Sequence, residues 1–226
     1  MPREPIPLIR PGGFLQAEKL YILAFEGEKS EYKYFNDFRE SKYFNDSGLI
    51  ETISLKRPKK RGSDPLSVKK LLKEAKESYP FKKNDEFWLI IDRDHWENIH
   101  NVNFVELAED CKREKNFYLA LSNPCFEIWL LLHLTDISAF SLEDQKKIFL
   151  NEKISSSKNY IDGVLGDLIG RGYNKIPNPK VFLPHIYKAI ARAKLIDKKN
   201  SDYPKTLGTY VYKLVEKLVK INPIAL

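Results

Sequence analysis

The sequence is poor in cysteine and has no long apolar run, and both shortages exclude classes of protein. Its 226 residues include two cysteines, Cys111 and Cys125, whose spacing fits neither a metal-binding motif nor a disulfide framework. We therefore expect both to be buried thiols. The central apolar stretch, residues 128–134 (IWLLLHL), is far too short to cross a bilayer. The proline-containing N-terminus lacks the continuous apolar segment of a signal peptide, so we expect a cytoplasmic protein with no membrane association.

Positive charge is distributed unevenly along the chain, whose net charge is +7. Residues 171–226 hold 12 Lys and Arg against 3 Asp and Glu, a balance of +9, so residues 1–170 sum to −2. Five of the six residues 56–61 (KRPKKR) are also basic. Such asymmetry indicates either a polyanionic partner, most simply nucleic acid, or a lysine-rich surface that keeps the protein in solution. Charge alone leaves both interpretations open.

Strand-like runs alternate with helical patterns in the first part of the chain. Four apolar runs predict buried strands: residues 20–25, 49–55, 86–92 and 117–122. Helical spacing fills the segments between them, including a helix after Asp64 whose inner side is expected to hold Leu66, Leu71, Leu72 and the stem of Lys70. A further helix is expected to start at Asn123 and Pro124. This alternation predicts an α/β fold with a mostly parallel sheet flanked by helices.

From about residue 141 onward, the remaining segments look helical and basic. Residues 206–221 (TLGTYVYKLVEKLVKI) are expected to form one helix with Leu207, Val211, Leu214 and Leu218 as its apolar stripe. We therefore expect an α/β core over residues 1–140 and a helical, basic C-terminal extension over residues 141–226.

Acidic residues follow the predicted strands at the edge where parallel sheets bind their ligands. They are Glu26 and Glu31 after the first strand, Asp92 and Asp94 at the end of the third, and Glu127 after the fourth. Gathered carboxylates repel one another, so keeping them ionised requires a cation or positive side chains nearby. Oxygen ligands without Cys or His favour Mg²⁺ or Mn²⁺. Beside basic residues, such an ion is most often used for phosphoryl transfer or phosphodiester cleavage.

Each acid also has an ordinary structural interpretation. An isolated Asp-x-Asp after a strand is often a solvated turn or a helix cap. Glu127 could pair with a lysine on a helix face. A metal site is favoured by the combination of strand–Glu-Gly, a βα unit and strand–Asp-x-Asp.

This combination resembles the Toprim fold of topoisomerases, bacterial primases and several nucleases. LAFEGEKSE (residues 23–31) matches the Glu-Gly that follows the first strand in Toprim sequences, and LIIDRD (residues 89–94) matches their later Asp-x-Asp. The resemblance implies that Glu26 is a general acid–base or metal-contacting residue and that Asp92 and Asp94 bind Mg²⁺. One departure is Ser30, which stands where many Toprim nucleases have a second acid; Glu31 comes one residue later.

A narrower resemblance covers nearly the whole chain. FEGEKSEYKYF (25–35), GSDP (62–65), FWLIIDRD (87–94), SNPCFEIWLLLHL (122–134), YNK (173–175) and GTYVYKLVEKL (208–218) are similar, in that order, to blocks of the RloB-like family. Such proteins are associated with restriction or abortive-infection loci, often beside an ATPase of the ABC or AAA type. The resemblance therefore implies a Toprim nuclease of prokaryotic antiviral defence, with tRNA or DNA as its substrate.

Basic residues are candidates for holding a nucleic-acid backbone. Lys29 lies near a helix N-terminus, which could meet a phosphate. The 56–61 loop follows the second strand and shares the edge of the acids if that strand is parallel. The full candidate set is Lys29, Lys56, Arg57, Lys59, Lys60, Arg61, Lys188 and Arg192. Each of them could also be a solvated surface residue.

These observations together predict a Mg²⁺-dependent endonuclease, with Mn²⁺ as a second candidate ion. Glu26, Asp92 and Asp94 would be catalytic and metal-binding, with Glu31 and Glu127 in support. RNA, including tRNA, is slightly favoured over DNA because the basic surface suits a bulky folded polyanion. The expected partners are the nucleic acid and an ATPase, and self-association is left open. The alternative is a non-catalytic subunit that binds nucleic acid or the ATPase.

Overall fold

A computed structural model describes residues 17–27, 29–56, 62, 64–78, 80–94, 96, 102–197 and 201–221. Its strands are β1 (Lys19–Phe25), β2 (Ile50–Leu55), β3 (Glu86–Asp92), β4 (Phe117–Asn123) and β5 (Gly208–Thr209). Its helices are α1 (Ser30–Arg39), α2 (Pro65–Ser78), α3 (Phe104–Arg113), α4 (Glu127–Leu134), α5 (Leu142–Leu150), α6 (Tyr160–Leu168), α7 (Pro179–Phe182), α8 (Ile186–Ile196) and α9 (Val211–Leu218). Short 3₁₀ turns cover Ile137–Ala139 and Leu183–His185.

The strands form one sheet in the order β2-β1-β3-β4-β5. β1 pairs in parallel with β2 and β3, and β3 pairs in parallel with β4. β5 alone runs antiparallel, against the end of β4. The predicted α/β fold with a mostly parallel, helix-flanked sheet is therefore confirmed. Because β2 is parallel, Lys56 leaves the sheet at the same edge as the residues that follow β1 and β3.

Helices cover both faces of the sheet. Consecutive residues of the central strands point to opposite faces, and both are buried. Ile22 of β1 packs in an apolar cluster with α2 and α3. Leu23, the next residue, packs in a second cluster with α1 and α4. Both side chains are almost fully buried. Apolar runs without alternation are typical of parallel strands covered on both faces.

The buried face of α2 differs from the one that the sequence predicts. The helix buries Val68, Leu72 and Ala75, whereas Leu66 is 54% exposed. The expected inward positions of Leu66 and Lys70 are therefore wrong, since both are exposed; Leu71 is half-buried, and the inward position of Leu72 is confirmed. Residues three or four positions apart lie on the same face of a helix, and Val68, Leu72 and Ala75 have this spacing. Leu66 lies on a different face. Asp64 holds the start of the helix, since its Oδ1 accepts a hydrogen bond from the Ser67 amide at 3.0 Å.

The C-terminal part shares its apolar core with the sheet. Ile148, Leu165 and Leu214 belong to the cluster that also contains α1 and α4. Residues 206–221 do not form one helix as expected, because Gly208–Thr209 is the fifth strand and α9 begins at Val211. The two-residue strand satisfies part of an otherwise unpaired β4 edge. The division of the chain at residue 140 stays a prediction.

The end of β4 also corrects the sequence reading. Asn123 pairs with Gly208 as the last residue of the strand, so the helix starts at Glu127 and not at Asn123. The Asn123–Pro124 peptide bond is cis.

Cys111 and Cys125 are free and buried, as expected. Of the helices in the described part of the chain, none has the length and apolarity that crossing a membrane requires.

Candidate active site

The carboxyl ends of β1, β3 and β4 lie next to one another and are joined by backbone hydrogen bonds. The Glu26 amide donates to the Ile90 carbonyl at 3.0 Å, which ties the end of β1 to β3. The Asp94 amide donates to the Pro124 carbonyl at 2.9 Å, which ties the loop after β3 to the loop after β4. Asp94 itself is exposed and has a left-handed backbone with φ of 36°. The predicted acidic residues are thus fixed to one edge of the sheet by the strands themselves.

Glu26 is held against the tip of β3 by two hydrogen bonds. Its Oε2 accepts from the Asp92 amide at 3.0 Å, and its Oε1 accepts from the Trp96 indole Nε1 at 2.7 Å. Burial raises the pKa of Glu26 to about 8, although both hydrogen bonds oppose the shift; the charges of Asp94 and Glu31 add to it. The orientation of this carboxylate is therefore defined by the protein before any ligand binds.

The Asp92 carboxylate has a buried oxygen atom, Oδ1, that accepts no hydrogen bond from the described residues. Burial raises the pKa of Asp92 well above its usual range, and the nearby charges of Glu31, Asp94, Glu26 and Glu127 raise it further. A buried carboxylate oxygen without a donor needs a proton or a cation to be stable.

Glu31 lies in the first turn of α1 and reaches back to the loop after β1. Its Oε1 accepts a hydrogen bond from the Gly27 amide at 3.0 Å. A Cβ atom at Gly27 would lie 2.0 Å from Glu31 Oε2, so the glycine is required for this close approach. Burial raises the pKa of Glu31 to about 7, and the negative charge of Glu127 raises this pKa further.

Glu127 begins α4 and belongs to a buried polar network. Its Oε1 lies 3.0 Å from the Ser30 hydroxyl, which donates to it. The same hydroxyl lies 3.1 Å from the Lys175 carbonyl and 3.5 Å from the Tyr173 hydroxyl. Ser30, Glu127 and Tyr173 are all at least 95% buried. The network joins α1, α4 and the segment before α7 directly behind the acidic edge.

Lys175 is a residue near the acids to which the sequence analysis gave no role. Its backbone is left-handed, with φ of 62°, and its ammonium nitrogen lies 3.6 Å from Oδ2 of the buried Asp162. Burial lowers the pKa of Lys175, but the charges of Glu127, Asp162 and Asp94 raise it, and the net shift is upward. Only the YNK block pointed to it, since no spacing in the sequence connects residue 175 with the strand ends.

The charges of the other four predicted acids all raise the pKa of Asp92, so the five carboxylates lie close enough to interact. Carboxylate oxygens are the ligand atoms that Mg²⁺ or Mn²⁺ prefers. The buried, unpartnered Oδ1 of Asp92 fits such an ion. In the conformation described, no group of three or more His, Cys, Asp or Glu side chains is arranged to hold a metal ion. Glu26 and Glu31 instead accept hydrogen bonds from protein groups. Binding a cation would require these side chains to reorient.

Three of the predicted nucleic-acid-binding lysines are exposed. Lys56 follows β2 directly, and the last residue of that strand, Leu55, pairs with Ala24 at the carboxyl end of β1. Lys29 lies immediately before α1, close in sequence to Glu26 and Gly27. Lys188 is exposed on α8. Lys29 and Lys56 therefore flank the acidic edge along the chain.

One further predicted basic residue, Arg192, contacts a helix end and not the acids. Arg192 of α8 is half-buried, and its Nη1 donates to the Leu132 carbonyl at 2.7 Å and the His133 carbonyl at 3.0 Å. It therefore caps the C-terminal end of α4. Four further candidates lie outside the described residues: Arg57, Lys59, Lys60 and Arg61.

Comparison with known proteins places this site in a family. A family model described as RloB-like protein matches residues 21–218, a span that includes all five acids and Lys175. Searches of curated proteins and of solved structures found no match. Because the family model covers most of the chain, this protein belongs to the RloB-like family.

Proposed function

We propose that this protein is a metal-dependent endonuclease that cleaves phosphodiester bonds of nucleic acid. The observation that carries the proposal is the buried, unpartnered Oδ1 of Asp92 among four other carboxylates at the carboxyl edge of a parallel sheet. Burying mutually repelling acids destabilises a fold. Such an arrangement is therefore typical of a site whose ligand is a cation.

Asp92 and Asp94 would hold the ion, with Glu26 contacting it or orienting the attacking water. When bound, Mg²⁺ or Mn²⁺ would neutralise the carboxylates, position the phosphate and stabilise charge on the leaving oxygen. Trp96 and the Asp92 amide fix the orientation of Glu26, which suits a role in orienting water; to contact the ion directly, Glu26 would have to give up these hydrogen bonds and reorient. Glu31 and Glu127 would assist in binding the ion, either directly or by positioning the residues that contact it.

The basic residues around the edge would hold the substrate backbone. Lys29 and Lys56 are exposed beside the strand ends, and Lys175 brings a positive charge toward Glu127 and Asp94. Contacts of this kind give affinity without sequence preference. RNA, including tRNA, is favoured slightly over DNA because a broad basic surface suits a bulky folded polyanion.

The order of the motifs on the parallel sheet also supports the Toprim fold for this chain. Glu26 follows β1, and the Asp-x-Asp of Asp92 and Asp94 follows β3, as the resemblance implies. In that setting the protein would act in prokaryotic antiviral defence with an ATPase partner of the ABC or AAA type. An ATPase partner would restrain or activate a nuclease that otherwise endangers its host.

A second candidate function is a non-catalytic subunit that binds nucleic acid or the ATPase. One observation favours it: Glu26, Glu31 and Glu127 all accept hydrogen bonds from protein groups. In this case the acids would stabilise the loops of the edge, and removing one would leave binding intact.

The test is a cleavage assay of purified protein on total tRNA and on plasmid DNA, with Mg²⁺, with Mn²⁺ and with EDTA. The proposal predicts metal-dependent cleavage that Asp92→Asn lowers by at least about 100-fold, as expected for a residue that holds the catalytic ion. Asp167→Asn is the matched control, because Asp167 is an exposed carboxylate at the end of α6. It should cleave like the wild type.

The same assay is repeated with the neighbouring ATPase and ATP. Cleavage that appears only then would support a nuclease controlled by its partner. Absence of cleavage under both conditions, together with unchanged partner binding by Asp92→Asn, would contradict the nuclease and support the non-catalytic subunit.

A further inference from the structure

A cleft of about 300 Å³ opens directly beside Asp94. It lies between the loops that follow β3 and β4 and the connection from α5 to α6. Its lining includes Arg93, Asp94, Asn123, Phe149, Asn151 and Lys153. The cleft therefore adjoins the acidic edge but is formed largely by residues 149–153 and 159 of the C-terminal part, none of which is among the residues predicted from the sequence to form a site.

The far wall of the cleft is fixed by hydrogen bonds. Asn151 ends α5 with a left-handed backbone, φ 45°, and is buried. Its Nδ2 donates to Cys125 Sγ at 3.3 Å, and its Oδ1 accepts from the Ile161 amide at 3.1 Å. The Tyr160 amide donates to the Glu152 carbonyl at 2.9 Å. These contacts tie the wall to the loop between β4 and α4 and to α6, so the cleft exists before a ligand binds.

The charges of the cleft indicate a neutral ligand group. Asp94 and Glu152 contribute two carboxylates to the lining, and Arg93 and Lys153 contribute two cations. Because these charges balance, the cleft offers no net attraction to a phosphate. Asp94 is assigned to the ion, and Arg93 Nη1 donates to the Lys205 carbonyl at 3.1 Å. Glu152 and Lys153, both exposed, can instead accept a hydrogen bond from an amino group and donate one to a carbonyl oxygen.

The cleft also presents an aromatic ring. Phe149 near the C-terminal end of α5 lines it and remains 37% exposed, and the adjacent Leu150 is 42% exposed. A flat, partly exposed ring beside polar groups provides a stacking surface for a planar heterocycle. The volume lies at the lower end of the roughly 300–1,000 Å³ range of ligand pockets, which suits a single small group and not a duplex.

We infer that this cleft binds one unpaired nucleobase of the substrate, next to the phosphodiester bond held at the acidic edge. The base would stack on Phe149, and its polar edge would meet the charged side chains around it. This inference rests on the proposed function, since it places the neighbouring phosphate at Asp92 and Asp94. It further predicts a preference for single-stranded or looped substrate, whose bases are free to leave the stack.

The test measures binding of short single-stranded oligonucleotides, RNA and DNA of the same sequence, with Ca²⁺ in place of Mg²⁺. A set of otherwise identical oligonucleotides carries one abasic site at each position in turn. For the wild type, we expect one position at which the abasic site weakens binding by roughly 5- to 150-fold, the range for loss of one stacked base. In Phe149→Ala, the penalty at that position should fall below about twofold.

Two further variants make the result specific to the ring. Leu142→Ala changes another residue of α5, 85% exposed and absent from the lining of the cleft, and should keep the wild-type penalty. Phe149→Trp keeps an aromatic stacking surface and should show the same abasic penalty as the wild type.

The outcomes separate the two proposals. Nucleic-acid binding with the same abasic penalty in Phe149→Ala and wild type, or with no sensitive position, would overturn the nucleobase cleft alone. Failure of the wild type to bind any nucleic acid, with or without the ATPase, would overturn the proposed function and the cleft with it.

Discussion

Single carboxylates at the edge differ in what the protein provides for them. Glu26 accepts hydrogen bonds from Trp96 and the Asp92 amide, and Glu31 accepts one from Gly27. Asp92 Oδ1 accepts none from the described residues. At this scale, the acids that have partners hold their position, and the oxygen without one marks where a cation is expected.

Gly27 tests whether the position of Glu31 matters for the metal site. In Gly27→Ala, the new Cβ would meet the Glu31 carboxylate, which must turn away and lose its hydrogen bond to the residue 27 amide. We expect Mn²⁺ affinity to fall by about tenfold or more, equivalent to about 1.4 kcal/mol. Isothermal titration calorimetry measures this.

Gly172→Ala is the matched control, because among the described residues its added Cβ would come within 4 Å only of the flexible end of Lys158, at 3.4 Å, its chain neighbours aside. It should bind Mn²⁺ like the wild type. Unchanged affinity in Gly27→Ala would show that Glu31 does not support the ion.

Lys175 tests the contribution of one cation to substrate binding. Because its charge faces Glu127 and Asp94, we expect Lys175→Met to weaken nucleic-acid binding and to lower the slope of log Kd against log salt by about one. Lys175→Arg should keep most of the slope. Lys180→Met, an exposed lysine of α7, serves as the control. Equal slopes for wild type and Lys175→Met would assign Lys175 to its ion pair with Asp162 alone.

Among the elements, α1 and α4 carry two of the five acids, Glu31 and Glu127, and a buried pair holds the two helices together. Tyr34 of α1 lies 3.1 Å from Nε2 of His133 on α4. His133 Nδ1 donates to the Trp129 carbonyl at 2.8 Å, and burial lowers the pKa of His133 to about 3. The imidazole is therefore neutral, and the tyrosine hydroxyl donates to Nε2.

Tyr34→Phe tests this helix contact. It would leave His133 Nε2 buried without a donor, which costs about 1–3 kcal/mol. For a chain of 226 residues, we expect the melting temperature to fall by about 2–4 °C for each kcal/mol. Thermal unfolding followed by circular dichroism measures this. Tyr160→Phe, which loses only a partly exposed contact with Asp144, should change it little. Equal melting temperatures for all three proteins would show that the contact does not stabilise the helices.

The sequence predicted those elements whose patterns are local. The ends of β1 and β3, and with them the positions of Glu26 and Asp92, follow from apolar runs that stop at acids. β5 was not predictable in the same way, because Gly208–Thr209 is a strand only through pairing with β4, about 85 residues away. Lys175 escaped prediction for the same reason, since tertiary contacts alone bring it to the acids.

Arg192 shows the limit of a surface pattern. From the sequence it is, with Lys188, among the candidates for holding a nucleic-acid backbone, and that role stays a prediction. In the structure, its guanidinium caps α4 through the carbonyls of Leu132 and His133. Sequence patterns show which face a residue occupies but not whether its polar end is already engaged.

Across the whole molecule, the buried acids and His133 give opposite dependences of stability on pH. Burial raises the folded-state pKa of Glu31 to about 7 and of Glu26 to about 8. The folded protein then binds more protons than the unfolded chain, so the free energy of unfolding falls as pH rises toward 8. For His133, whose folded-state pKa is lowered to about 3, stability is lost as pH falls below its usual value of 6.5.

The window from about pH 7 to 8 is therefore dominated by the acids, because the imidazole of His133 is neutral in the folded state and mostly neutral in the unfolded state above its usual pKa of 6.5. In EDTA, we expect the melting temperature of the wild type to fall across this window. Asp92→Asn, which removes one of the repelling charges, should show a smaller fall. Addition of Mg²⁺ at pH 8 should restore stability. A flat profile in EDTA would contradict the mutual repulsion of the acids.

The most direct measurement is the binding of Mn²⁺ to the wild type, Asp92→Asn and Asp167→Asn, followed by the electron paramagnetic resonance of the free ion. It needs neither substrate nor ATPase, so an inhibited nuclease would still give a result. We predict that the wild type and Asp167→Asn bind Mn²⁺ alike and that Asp92→Asn binds it at least about tenfold more weakly. Equal binding by all three proteins, or binding by none, would contradict a metal site at the carboxyl edge of the sheet.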